Sequence, residues 1–131
     1  NGASNEVGTV MSFSWHSVKG YSAFGSFEGA NSADGTFTNT GFSARTGFTK
    51  AIDATINWYM FDRAVDPINV MDAAQYNSTG IWSSANLWDS NSNGVKARSA
   101  AVNWTGTSIY GFWGGRPIQG NGKDTSQGRA K

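Results

Sequence analysis

Three groups of residues in this chain have the types and spacing to do chemistry. Asp62 and Asp66 stand four apart, with Arg63 between them and Pro67 after them. Two carboxylates whose pKa values are driven apart are the acid and base of a glycoside hydrolase. Carboxylates beside a proline turn more often accept backbone amide hydrogens and hold the loop, so a structural role is expected for both. The second group is DSNSNG, Asp89 to Gly94. It offers oxygen atoms at alternate positions and a glycine, as the first half of a calcium loop does. Ala100 stands where the closing Glu belongs and no helix flanks the segment, so a hairpin turn at Asn93-Gly94 is expected instead. The one histidine, His16, falls on the polar side of an alternating run, and the only glutamates, Glu6 and Glu28, lie in unremarkable contexts. No catalytic residue, cofactor or metal is predicted, and without cysteine there is neither a disulfide nor a thiolate site.

The third group is aromatic. Trp82, Trp88, Trp104 and Trp113 lie in or beside polar, loop-like segments. Flat rings in such places stack on sugar faces, whereas the commoner use of large aromatics is to fill a core or a subunit interface. These four are the candidate ligand or interface residues. Asn77-Ser78-Thr79 and Asn103-Trp104-Thr105 are glycosylation sequons, with meaning only in a eukaryotic secretory route.

The elements that must position these groups read as strands. In 131 residues there are 17 Gly, 8 Phe, 6 Trp and 4 Tyr, and Leu87 is the sole leucine, a balance that favours strands and turns over helices. Short alternating or aromatic runs are separated by Gly, Asn, Asp and Ser at intervals of about ten residues, the spacing of a sandwich or barrel. VGTVMSFSWHSV predicts a strand with Met11, Phe13 and Trp15 on one face; YSAFGSFEG and TFTNTGF predict two more, separated by a turn at Asp34-Gly35. INWYMF, Ile56 to Phe61, has apolar residues on both faces and predicts a strand covered on both sides or placed at an interface. Pro67 then forces the chain out of the sheet. VMDAAQYN suggests a brief helical turn, and the chain from Gly80 onward predicts a strand, a turn, another strand and a closing strand or hairpin. The expected fold is an all-β antiparallel β-sandwich, jelly-roll or lectin-like, as one domain over residues 1–131 with about 1–9 and 118–131 as extended arms. A chain that begins at Asn1 without an initiator Met reads as a fragment or a processed product. A net charge of +1 argues against a nucleic-acid surface, and no apolar run reaches the roughly 20 residues of a membrane span, so neither partner is expected.

WHSVKGYSAFGSFEGANSADGTFTNTGF, NWYMFDRAVDP, SNGVKARS and NWTGTSIYGFWGGRP together resemble a domain found at the C-terminal ends of bacteriophage tail-fibre and related virion proteins. The likeness runs from about Trp15 to Pro117. It implies a non-enzymatic structural role in the virion, contact with other virion proteins, a homo-oligomer that is a trimer, and attachment to host-surface glycan. Val65, Val95 and Gly114-Gly115 depart from the family's pattern, which extends the expectation to a capsid decoration (cement) protein. A free carbohydrate-binding module is the alternative in a different class, and a small glycan hydrolase working through Asp62 or Asp66 is a third.

Overall fold

The computed structural model describes Thr9, residues 11–77 and residues 82–114, without the side chains of 82–85. The expected arms at 1–9 and 118–131 lie almost wholly outside these residues. The chain is all-β, as the composition predicts. Its strands are β1 (Ser22–Gly29), β2 (Phe37–Asn39), β3 (Ala44–Ala51), β4 (Tyr59–Asp62), β5 (Met71–Tyr76), β6 (Trp82–Asn91), β7 (Gly94–Ala97) and β8 (Gly106–Gly114). All pair antiparallel in one sheet of order β1-β8-β3-β4-β5-β6-β7-β2.

This sheet curls over its own core. Phe61 on β4 packs on Trp88 of β6, with ring centroids 5.0 Å apart, and on Phe112 of β8 at 5.9 Å. Ser90 Oγ on β6 reaches across the interior and donates to the Ala44 carbonyl on β3 at 2.7 Å. The pairing of β5 with β6 shifts register between Met71 and Ala73, and such bulges bend a strand and raise its twist. The result is sandwich-like in packing and barrel-like in connectivity, with β1 and β2 as its two edges. The edges approach at one end, where Thr36 Oγ1, just before β2, donates to the Glu28 carbonyl of β1 at 2.7 Å.

Asn103 closes that end. Its side chain is fully buried, accepts from the amides of Ala30 (3.2 Å) and Thr36 (3.4 Å), and donates to the Ser32 carbonyl (3.1 Å). A buried amide with these partners ties the β1–β2 connection to the segment before β8. The sequon at Asn103 is therefore a core hydrogen-bonding group. Ser99 caps the short 3-10 turn Ala100–Val102 that delivers it.

Four local expectations need correction. Residues 11–17 are not a strand: among the described residues this end of the chain makes a single bridge, Val18 with Ser22, and alternation without a neighbouring ladder does not hold an extended segment in a sheet. VMDAAQYN is strand β5 and not a helical turn, because pairing with β4 and β6 overrides the weak helical preference of Met, Ala and Gln. The aromatic strand is shorter than INWYMF and begins at Tyr59; its inner face is covered, but Trp58 and Met60 face outward. Finally, the β6–β7 hairpin turns at Ser92-Asn93, with Gly94 already paired opposite Asn91. A Cβ on Gly94 would lie 2.2 Å from the Thr38 carbonyl oxygen, so this glycine serves the close approach of β2.

Candidate functional site

The site is built on the outer face of β1, β8, β3 and β4. Antiparallel register sets Phe24 of β1 and Phe48 of β3 opposite Gly111 of β8, one from each side. A Cβ on Gly111 would stand 2.6 Å from the Phe48 ring and 2.8 Å from the Phe24 ring, so a bare backbone lets both rings lie down on the sheet. Trp113, two residues on, meets Phe24 edge to face at 5.1 Å and 82°. Phe48 in turn packs on Trp58 at 5.2 Å.

Over this layer comes the segment before β1. Trp15 stacks on Phe24 (6.2 Å, 15°) and meets Trp113 edge-on, while Phe13 stacks on Trp15 (6.1 Å, 18°). Stacked and edge-to-face rings attract one another beyond the area they bury, less so where, as at Trp15, the ring stays exposed. That attraction holds residues 13–15 against the sheet without a backbone ladder. Between Trp15, Phe48, Trp58, Met60 and Trp113 runs an open groove of about 330 Å³. None of its lining residues is charged. Trp15 is 59% exposed and Trp58 37%, a high figure for rings of that size gathered on one surface. Such a surface can take an apolar protein face or the C–H face of a sugar ring; it has no group to move a proton.

The predicted tryptophans are dispersed. Trp113 lies in the groove, and Trp88, at 1% exposure, fills the core. Trp104 is 42% exposed and follows the buried Asn103. The side chain of Trp82 lies outside the described residues. Sequence reasoning missed Phe13, Trp15, Phe24, Phe48, Trp58 and Met60 as a site. The available signal was glycine opposite aromatic, Gly111 facing the phenylalanines of FGSF and TGF, but it is readable only once strand partners are known.

Both carboxylates of the Asp62 and Asp66 pair accept backbone amide hydrogens. Asp62 Oδ1 accepts from the Ala64 amide at 2.8 Å. Buried Asp66 accepts from the amides of Asp72 (2.6 Å), Ala73 (3.0 Å) and Ile68 (3.3 Å). Burial pushes its pKa up, the amide hydrogen bonds push it down by more, and the carboxyl ends below the ordinary aspartate range. In the second oxygen-rich stretch, Asp89 is paired with Arg98. His16 is exposed.

A family model described as Domain of unknown function (DUF7483) matches residues 1–117. The chain belongs to that family. All eight strands and the aromatic groove fall within the matched span. No curated protein and no solved structure matches the chain.

Proposed function

We propose that this domain is a non-enzymatic structural component of a phage particle, in a tail-fibre or host-attachment role or as a capsid decoration protein, and that it engages its neighbours through the outer aromatic face. The open run of Phe13, Trp15, Phe24, Phe48, Trp58 and Trp113 carries this reading, because a large uncharged aromatic surface is costly to leave in water and marks a contact surface. The resemblance of four segments to virion domains supports the setting. The commitment of Asp62 and Asp66 to backbone amides supports a non-enzymatic role. A particle component of this size gains useful attachment through repeated contacts, which favours a trimer and avidity over a single strong site.

The near-coplanar stack of Phe13, Trp15 and Phe24 favours one second reading, a carbohydrate-binding module in which the same rings form a platform for sugar faces. Light scattering coupled to size exclusion separates the two. The virion reading expects a trimer that Trp58→Ala and Trp15→Ala convert to monomer; a monomer at every concentration, whose glycan binding is lost in the same variants, replaces it with the module.

A further inference from the structure

A second cleft lies beside the aromatic face and shares no lining residue with it. It is about 710 Å³ in volume and is lined by Phe42, Ser43, Arg45, Arg63, Pro67 and Gly114, with Gly20 at its edge. The two arginines reach it by different routes. Arg45 is the extra residue of a β-bulge: Ala44 pairs with Gly114 and Thr46 with Trp113, so Arg45 has no partner across the ladder. Bulges re-aim a side chain, and here the side chain lines the cleft. Arg63 follows β4 in the turn that Asp62 and Asp66 hold, and its amide donates to the Arg45 carbonyl at 2.8 Å, which sets the two residues side by side. Arg63 Nη1 donates to Ser43 Oγ at 3.3 Å, fixing one edge of the guanidinium.

Neither charge has an ion-pair partner among the described residues. The ion pairs among the described residues are Lys96 with Asp34 and Arg98 with Asp89. The nearby carboxylates Asp62 and Asp66 are taken up by amides, and Arg63 Nε is buried with no acceptor among the described residues. Two guanidinium groups in one concave site, without a carboxylate partner among the described residues, have the chemistry of a carboxylate receptor, since the planar fork matches a carboxylate in two parallel hydrogen bonds. The rest of the lining narrows the ligand. Phe42 and Pro67 offer apolar surface, Ser43 offers a hydroxyl, and the volume lies within the range of small-molecule sites, well beyond what a bare anion needs.

We infer that this cleft binds a carboxylate-bearing sugar, a uronic acid type of residue, with its carboxylate on Arg45 and Arg63 and its C–H face toward Pro67. The inference does not depend on the virion reading, because it uses none of the aromatic face. The test is a calorimetric titration of the full chain with glucuronate, glucose and sulfate at matched ionic strength. Glucuronate should bind at least about 10-fold more tightly than glucose or sulfate, and Arg45→Gln should weaken it by about 10-fold or more with an unchanged circular dichroism spectrum. Arg98→Gln, at a guanidinium outside the cleft and already paired with Asp89, should leave glucuronate affinity unchanged. Equal affinity for glucose, sulfate binding as tight as glucuronate, no binding by the parent chain, or an Arg45→Gln variant that binds as the parent does would each overturn the assignment.

Discussion

The part of the sheet built by β8, β3, β4 and the residue before β4 has aromatic side chains on both faces, and the two faces have opposite fates. On the inner face Phe112 and Phe61 are each 1% exposed, and Phe61 packs on both Phe112 and Trp88. On the outer face Trp113, Phe48 and Trp58 make ring contacts as close, yet stay open to solvent along a groove. Residue type does not distinguish the faces. What differs is the other side: the inner rings meet the opposing half of the curled sheet, while over the outer rings the described chain supplies only Phe13 and Trp15. Aromatic contacts inside the curl hold the fold, and equivalent contacts outside it leave a surface for something else.

Mutations should separate the two faces by size of effect. Phe61→Ala leaves a cavity between β4, β6 and β8 and should cost about 3–5 kcal/mol in urea unfolding, against about 1 kcal/mol for Phe48→Ala. Equal costs would mean that the outer face is as much part of the core as the inner one. At the loop that ends β4, Asp66→Asn should cost about 1–2 kcal/mol at pH 7, because an amide group cannot accept from three backbone N–H groups as the carboxylate does. The folded carboxyl titrates below its unfolded value of about 3.9. Its stabilisation is therefore present above about pH 4 and is lost as the pH falls through the folded value; acid unfolding curves should show this loss in the parent chain and not in Asp66→Asn.

Thr49 sharpens the comparison from the inner side. It is 3% exposed, and its hydroxyl has no hydrogen-bond partner among the described residues. Thr49→Val keeps the shape and removes the stranded polar group, so it should raise stability by about 1 kcal/mol in thermal melts. The smallest effect on folding belongs to the outer face: Trp15→Ala should shift stability by no more than about 0.5 kcal/mol while abolishing self-association in light scattering. A large loss of stability in that variant would move Trp15 from the contact surface into the fold.

Some of this was legible beforehand. YSAFGSFEG became β1 and the turn signal around Asn93 became a hairpin, because alternation and turn chemistry are local properties of the chain. MDAAQY became β5 against its local preference, since the hydrogen bonds of a strand come from neighbours distant in sequence. That Asp62 and Asp66 accept backbone amides was readable from the proline beside them. The aromatic face was not, because Trp88 and Trp113 have equally ambiguous neighbours and only register assigns one to the core and the other to the groove. Nor was the pairing of Arg45 with Arg63, 18 residues on by numbering, which exists only because β3 bulges where it meets the turn after β4.

By itself the sequence determined the class of backbone: abundant glycine and aromatic residues, one leucine and closely spaced turn residues commit the chain to short antiparallel strands. Tertiary structure decided which strands are neighbours, where the sheet bends, and so which rings lie inside the curl. The physical reason is that strand propensity and turns act over a few residues, whereas burial depends on what stands about 10 Å away across the sheet. In a chain with apolar residues on both faces of its strands, that second condition is set by the closure of the fold.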